Sequence, residues 1–529
     1  MNIQTFLENY LSQAPTKVHW SQIGIRPHHG VAVPIFSLLS NNSSGIGEFY
    51  DLLPLIKWLP EVGMDVIQLL PLNDTGDDPS PYNAISAKAL NPIHISLYAL
   101  PYLNEHKDLI KKVELLKSLS NSQRIQYPKV KSQKIDFLKD YFNRVIDQFE
   151  DDEKFNNFQV QNPWLGTYSL YKLLREKSDH KTWMSWPDEL KNPASFTQLM
   201  QKYKTEIQFY IFLQFLCFEQ MIYVKEYASK FSVFLKGDIP ILLSSDSADV
   251  WSNREFFDCS LRAGAPPDAY SAKGQDWGLP TYNWDNLEKV NYSWWKERLH
   301  LASHIYHLYR IDHVVGFFRI WVIPPNKKAI DGFFKPKNYY EWPHLGKKLL
   351  KMLIKSSTML PVAEDLGTIP KYVPQILKEL GIPGTKIMRW ERKWEEDSSF
   401  INVKDYQPIS LTSVATHDSE TMAEWWEKYP NDAELYAKQF KINYKTPLDD
   451  KSRFKILYEA HHSPSVFRIN PLQEYLAFFQ ELIWKDPKDE RINIPGTTSS
   501  LNWTYRFRPK IDEIVAHKKL TSMIKKLTK

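Results

Sequence analysis

Asp312 ends a short apolar, strand-like run, and an arginine stands two residues before it, at Arg310. Side chains two residues apart on a strand point to the same side. The guanidinium of Arg310 would then keep the Asp312 carboxylate ionised and available as a nucleophile. A single Arg-x-Asp pattern is more often a structural ion pair, so this assignment needs support from other residues.

Glu364 follows a second apolar run, Leu360-Pro361-Val362-Ala363, and Gly367 stands three residues after it. A glutamate at the end of an apolar strand is partly removed from water, which favours its neutral form and suits a general acid. A glutamate ahead of a tight glycine turn can also cap a helix, so this motif is weak when taken alone.

A third run ends in Thr416-His417-Asp418. The His–Asp pair could grip neighbouring hydroxyl groups, contribute to a metal site or cap a helix. No further His or Glu stands nearby at metal-ligand spacing, so we expect no metal at this position.

The three motifs together are far more specific than any one of them. Chemistry at a glycosidic bond calls for two carboxyl groups flanking the bond, one of them protonated. Asp312 and Glu364 would supply that pair, while Asp418 and His417 would hold the sugar ring.

These residues stand on strand-like runs that alternate with helical patterns. Apolar residues at three- and four-residue spacing predict helices over 49–62 and 293–308. Alternating strands and helices predict a parallel sheet, and polar residues at the carboxyl ends of strands favour a (β/α)8 TIM barrel. An open, doubly wound sheet is the alternative, but the phosphate loops GxGxxG and GxxxxGK[ST] are absent. The strand-like runs are 66–70, 233–235, 309–312, 360–365, 386–390 and 413–418.

We expect one catalytic barrel domain of the α/β class over residues 1–529, with largely helical inserted subdomains. Residues 100–230 are Lys-rich and helical in pattern, with few barrel-like strands, which predicts a helical insertion within the barrel. Residues 425–485 predict a second helical insertion.

The composition excludes several classes of protein. With 43% hydrophobic and 24% charged residues, the 529-residue chain can bury a core and is not disordered. A formal net charge of +5 without a basic stripe argues against a nucleic-acid partner. The two cysteines, Cys217 and Cys259, fit a reducing compartment. The aromatic share of 14% favours, on composition alone, an aromatic core over a groove that stacks ligands.

The longest apolar run, residues 209–224, is interrupted by polar side chains and is shorter than the roughly 20 residues of a membrane span. It predicts a buried helix. The first residues lack a basic segment followed by an apolar one, so no secretory signal is expected. We therefore expect a cytoplasmic protein without a membrane partner.

Longer motifs resemble those of one family. They are GDIP at 237–240, DSADVW at 246–251, GAPPD at 264–268, GQDWGLP at 274–280, DPSPY at 78–82 and NIPGT at 493–497. Over roughly residues 25–508, the chain resembles the 4-α-glucanotransferases (amylomaltase or disproportionating enzyme, glycoside hydrolase family 77), a branch of the α-amylase superfamily.

The resemblance implies a hexosyltransferase of glycogen or maltodextrin metabolism. Such an enzyme moves a segment of an α-1,4-glucan, or glucose from maltose, to the 4-hydroxyl of an acceptor carbohydrate by a retaining double displacement. Asp312 would be the nucleophile, Glu364 the acid/base and Asp418 the third carboxylate. The substrate-binding residues would be Arg310, His417, Asp238, Ser80, Tyr82, Asp268, Tyr270, Gln275, Trp277 and Asn493. The partners would be malto-oligosaccharides or glycogen-type α-glucans, with no metal or cofactor.

Two positions depart from the family pattern. Ala269 stands where many members have an aromatic residue after Pro-Pro-Asp. Val314-Val315-Gly316 follows Asp312-His313 where many bacterial members have Phe-Arg-Gly, and this is similar to the plant cytosolic type that transfers glucose from maltose to larger glucans. An α-amylase-type hydrolase is the nearest alternative, while a non-catalytic glucan-binding barrel would be expected to lack at least one of the three carboxylates.

Overall fold

The structure is a computed structural model that describes residues 2–267 and 272–529. Its centre is a sheet of eight parallel strands in the order β10-β11-β12-β1-β2-β3-β6-β9. A second sheet has four antiparallel strands in the order β5-β4-β7-β8. The strands are β1 (His28–Ala32), β2 (Val66–Gln68), β3 (Phe234–Ile239), β4 (Phe257–Ala265), β5 (Gln275–Tyr282), β6 (Leu308–Ile311), β7 (Ile320–Ile323), β8 (Phe333–Lys335), β9 (Leu360–Ala363), β10 (Gly384–Ile387), β11 (Ser410–Ser413) and β12 (Phe467–Pro471).

The eight-stranded sheet closes into a barrel between β9 and β10. Ala363 donates its backbone N–H to the carbonyl of Pro383 (2.7 Å), and the Thr385 hydroxyl donates to the carbonyl of Ala363 (2.8 Å). The strands follow one another around the ring in chain order, so all of their carboxyl ends meet at one rim. The (β/α)8 barrel predicted from the sequence is confirmed.

Six of the eight barrel strands were predicted, and β1 and β12 were not. Both carry polar residues that form hydrogen bonds with distant parts of the chain. His28 contacts the carboxylate of Asp65 through Nδ1 (2.8 Å). Asn470 accepts from the backbone N–H of Val414 (3.0 Å) and donates to the hydroxyl of Tyr475 (3.0 Å). Because these polar residues interrupt the apolar pattern, a search for apolar runs does not detect the two strands.

The helices surround the barrel and fill its long connections. They are α1 (Ile3–Leu11), α2 (Lys17–Ile23), α3 (Leu52–Trp58), α4 (Lys107–Lys117), α5 (Tyr127–Val145), α6 (Glu153–Gln161), α7 (Trp164–Lys177), α8 (Asp188–Lys191), α9 (Phe196–Lys202), α10 (Lys204–Lys230), α11 (Ala248–Ser252), α12 (Trp284–Lys289), α13 (Ser293–Ser303), α14 (Trp342–Ser356), α15 (Tyr372–Leu380), α16 (Met422–Lys428), α17 (Pro430–Gln439), α18 (Asp450–His461), α19 (Leu472–Leu476), α20 (Ile511–Ala516) and α21 (Lys518–Thr528).

The helices α4 to α10 fall within the range 100–230 that predicts an insertion, between β2 and β3. The range 425–485 is different, because it includes β12, which pairs with β1 and β11 and is a barrel strand. The helical segment of that connection therefore runs from α16 to α18 and ends at His461.

Helix α10 contains the apolar run at 209–224. Within the described ranges it is the one helix long and apolar enough to cross a membrane, yet 78% of its apolar window is buried inside the structure. Its phenylalanines pack against other rings, as Phe212 does on Phe149 (centroids 4.9 Å apart). It is a core helix, as the sequence predicted.

A buried ion pair ties α5 to the first barrel connection. Lys134 donates from Nζ to the Glu48 carboxylate (2.6 Å) and to the carbonyl of Ile95 (3.0 Å). Both charged side chains are fully buried. Burial raises the pKa of Glu48 to about 7 although Lys134 opposes the shift. Removal of either side chain would therefore leave the other charge buried without a counter-charge.

We predict that Lys134→Met destabilises the fold by about 3 kcal/mol at pH 8, because it leaves Glu48 buried without a counter-charge. The loss should shrink toward pH 5.5, where Glu48 takes up a proton and no longer carries a buried charge. Urea unfolding at the two pH values measures both effects. Lys112→Met, which removes a half-exposed partner of Asp140, is the control and should cost less than about 1 kcal/mol. An equal loss in both variants, or a Lys134→Met loss that grows as the pH falls, would contradict this account.

Candidate active site

The expected site residues meet at the carboxyl rim of the barrel. A cavity of about 750 Å³ is lined by Ser80, Tyr82, Gln275, Trp277, Arg310, Asp312, Glu364, His417, Asp418 and Asn493. Asp238 is buried directly behind this lining, bonded to Tyr82 and Arg310. Asp268 and Tyr270, with Ala269, lie outside the described residues.

Arg310 organises the centre of the site. The register of β3 and β6 places it beside Asp238, and its Nη1 donates to both oxygens of that carboxylate (2.9 Å each) and to Oδ1 of Asp312 (2.8 Å). Its Nη2 lies 3.6 Å from the Glu364 carboxylate. Burial lowers the pKa of Arg310, but Asp238 and Asp312 outweigh burial and raise it well above its usual value. The guanidinium is therefore a permanent charge.

Glu364 is held by the backbone of two segments. Its Oε2 accepts from the N–H of His313 (2.8 Å) and its Oε1 from the N–H of Leu366 (2.9 Å). His313 has a left-handed backbone (φ 45°, ψ 56°), which is unfavourable for a residue with a side chain. This conformation turns the chain directly after Asp312, where the backbone N–H of His313 reaches the Glu364 carboxylate. The two carboxyl groups are thus positioned relative to each other by one turn.

Asp418 stands across from this pair in a cluster of its own. His417 Nε2 lies 3.2 Å from its carboxylate, and Asn493 donates from Nδ2 (2.7 Å). Burial alone would raise the pKa of Asp418, but His417, Asn493 and Arg310 outweigh burial and lower the pKa to about 2. The His417 ring stacks on Tyr82 (centroids 5.3 Å, 17°). Asp418 is an ionised acceptor suited to hydroxyl groups.

The second sheet supplies another wall of the cavity. Gln275 and Trp277 stand on β5, where Trp277 donates from Nε1 to the Gln275 side chain (3.1 Å). The Trp277 ring meets His313 edge-on (centroids 5.0 Å, 89°). A residue of the antiparallel sheet therefore packs directly against the turn that follows Asp312.

Comparisons with known proteins identify the family. A family model described as 4-alpha-glucanotransferase matches residues 33–512. The chain belongs to the 4-α-glucanotransferase family. It is 42% identical over 520 residues to a 4-alpha-glucanotransferase of Chlamydia pneumoniae, covering 98% of both chains. It is 26% identical to one of Oryza sativa, covering 94% of this chain and 69% of the relative.

A solved structure leads to the same family. The amylomaltase of Streptococcus agalactiae in complex with acarbose superposes with a TM-score of 0.81 at 25% identity, covering 95% of this chain and 99% of that one. This chain is accordingly a glycosyltransferase of the 4-α-glucanotransferase class that acts on α-glucans.

Three residues of this 4-α-glucanotransferase site had no role assigned from the sequence. His313 lies in the nucleophile motif, but its left-handed turn is visible only in the structure. Trp503 packs near Tyr82 (5.6 Å) and His417 (5.9 Å). Lys236 stands two residues before Asp238 on β3, a spacing that already places both on one side of the strand.

The cavity is also lined by a buried basic group, Lys236. Lys236 donates from Nζ to Gln68 (2.6 Å), and burial lowers its pKa to about 7. Over residues 2–267 and 272–529, no group of three His, Cys, Asp or Glu side chains is arranged to hold a metal ion.

We predict that Arg310→Gln lowers kcat/KM by at least about a hundredfold, because Asp238 loses its buried partner and the carboxyl groups of Asp312 and Glu364 lose a common anchor. Arg310→Lys should rescue little of this, because one ammonium cannot reproduce the planar fork. Arg144→Gln, which breaks surface pairs with Asp108 and Asp140, is the matched control. Steady-state kinetics with circular dichroism spectra tests this. Full activity in folded Arg310→Gln would contradict the role of Arg310.

Proposed function

We propose that this 4-α-glucanotransferase works by double displacement, with Asp312 as nucleophile and Glu364 as acid/base. The observation that supports this most directly is the shared contact with Arg310, which reaches Asp312 at 2.8 Å and Glu364 at 3.6 Å. Retaining enzymes need their two carboxyl groups close together, because one of them attacks the sugar directly.

In the first step, neutral Glu364 gives its proton to the glycosidic oxygen while the Asp312 carboxylate attacks the anomeric carbon. The glycosidic C–O bond breaks, the reducing-end fragment leaves as an alcohol, and a covalent glycosyl ester forms on Asp312. Arg310 holds the Asp312 carboxylate in place before the attack through its hydrogen bond to Oδ1 (2.8 Å).

In the second step, ionised Glu364 takes the proton from the 4-hydroxyl of the acceptor. The hydroxyl oxygen attacks the anomeric carbon and displaces Asp312, which regenerates both side chains and retains the configuration. Asp418 and His417 would hold hydroxyl groups of the sugar at the cleavage point. Asn493 would support Asp418, to which it donates a hydrogen bond.

The remaining residues of the cavity suit the donor glucan. Tyr82 and Trp277 offer aromatic faces, and Ser80 and Gln275 offer polar groups between them. The proposed substrates, in glycogen or maltodextrin metabolism, are malto-oligosaccharides or glycogen-type α-glucans as glucan donors, or maltose as a glucose donor. Both cysteines are free thiols, which supports a cytoplasmic location.

Transfer is distinguished from hydrolysis by the products of maltotriose. We predict a ladder of longer oligosaccharides together with glucose, because the acceptor hydroxyl competes with water for the ester on Asp312. Chromatography of the products over time gives the answer. Maltose and glucose alone, without longer chains, would identify a hydrolase and contradict the proposal.

We predict that Asp312→Asn lowers kcat for maltotriose disproportionation by at least about a thousandfold, since the amide cannot form the ester. Glu364→Gln should have a comparable effect, because it can neither give nor take the proton. Asp108→Asn, on the surface of α4, is a matched control and should keep full activity. Substantial transfer by Asp312→Asn at unchanged melting temperature would rule out the nucleophile assignment.

A further inference from the structure

A chain of aromatic rings leads from the cavity wall to the protein surface. Trp321 and Phe334 line the cavity, with ring centroids 4.9 Å apart. Phe334 lies 5.5 Å from Trp342, Trp342 lies 6.5 Å from Tyr339, and Tyr339 lies 4.0 Å from Tyr340. Each ring touches the next, so the path is continuous with the site already described.

The outer end of this path is open to solvent. Tyr339 is 56% exposed and Tyr340 is 70% exposed. Single exposed aromatic residues are common on protein surfaces and need no explanation. These two are adjacent, and they end a ring path that starts in the cavity. Tyrosine combines an apolar face with a polar tip, which matches a pyranose ring with its C–H face and hydroxyl edge.

The turn that carries the two tyrosines is fixed in place. The Asn338 side chain accepts from the backbone N–H of Tyr340 (3.2 Å) and donates to Glu341 (2.8 Å). Trp342 donates from Nε1 to the carbonyl of Pro336 (2.7 Å) and begins α14. A surface held in this way loses little conformational entropy when a ligand binds.

Arg319 connects the cavity to the outer rings. Its guanidinium carbon lies 3.9 Å from the Phe334 centroid and 4.8 Å from that of Trp342, and it lines the cavity. Its hydrogen bond to the carbonyl of Thr368 is long, at 3.5 Å. The Nε of Arg319 is buried and has no hydrogen-bond partner among the described residues. The junction therefore retains one hydrogen-bond donor that no protein group occupies.

The path leaves the cavity on the side of the acid/base. Thr368, to whose carbonyl Arg319 donates, follows Glu364 by four residues, and Leu366 to Ile369 line the cavity. The cluster of Asp418, His417 and Tyr82 is built from other connections of the barrel. In the proposed mechanism Glu364 acts on the oxygen of the glycosidic bond that is cleaved. The sugar units on the Glu364 side of that bond therefore belong to the leaving group or, in the second step, to the acceptor.

We infer that Tyr339 and Tyr340 form an accessory platform that binds the distal part of a long α-1,4-glucan acceptor whose reacting end lies in the cavity. The inference rests on the proposed function and adds a second, separate contact region for polymers. A short acceptor ends within the cavity and does not reach the platform. The platform therefore selects for chain length without taking part in the chemistry.

The double variant Tyr339→Ala/Tyr340→Ala tests this. The KM for glycogen as acceptor should rise about tenfold, equal to about 1.4 kcal/mol of binding, while maltotriose disproportionation stays unchanged. Tyr339→Phe/Tyr340→Phe keeps the ring faces and should bind glycogen nearly as well as the parent. Tyr223→Ala, an exposed tyrosine on α10, is the matched control. Gel retardation in glycogen, with all variants in an Asp312→Asn background, measures binding without turnover.

The outcomes separate the inference from the proposed function. Weaker glycogen binding with intact maltotriose transfer supports the platform. Unchanged glycogen retardation and KM in the double Ala variant overturn it. An equal loss with maltotriose also overturns it, because the tyrosines would then act on the cavity itself. Absence of maltotriose transfer in the unmodified protein is a failure of the proposed function instead.

Discussion

The site depends on one buried guanidinium. Arg310 satisfies the otherwise uncompensated charge of Asp238 beneath the cavity floor and binds Asp312 through the same nitrogen. Burying a carboxylate such as Asp238 raises its pKa and is costly without a partner. The barrel accepts this cost at the position where the proposed mechanism uses a fixed positive charge. The groups that Arg310 touches lie on or directly after three adjacent strands, β3, β6 and β9, so the strand order of the barrel brings them together.

The barrel and the carboxylates were predictable because their signals are local. A strand-like run that ends in Asp, Glu or His carries its own evidence, and parallel topology then places such ends together. The strands β1 and β12 escaped prediction because Asn470 and His28 are satisfied by residues far away in the chain. The end of the second helical range was wrong for the same reason. Long-range pairing cannot be read from a window of ten residues.

The antiparallel sheet is the part of the fold that the sequence did not indicate, and it forms much of the cavity wall. Its strand β5 carries Gln275 and Trp277, while Trp321 on β7 and Phe334 on β8 stand farther along the wall. The sequence motif in β5 pointed to two residues that line the cavity, Gln275 and Trp277, although the strand itself was not predicted. Such residues can be proposed from their types and spacing, whereas the strands of this small sheet come from separated segments of the chain.

The aromatic content now divides into separate groups. The phenylalanines of α10 pack in the core, as Phe212 does, and serve stability. Tyr82 and Trp277 line the cavity. In the proposed mechanism the cavity has to exclude water for transfer to succeed. The rings from Trp321 to Tyr340 form a third group, continuous with the cavity but ending in solvent. Under the proposed mechanism a transferase benefits from such a division, because an acceptor held at both its reacting end and its distal part would stay near the glycosyl ester longer than a water molecule does.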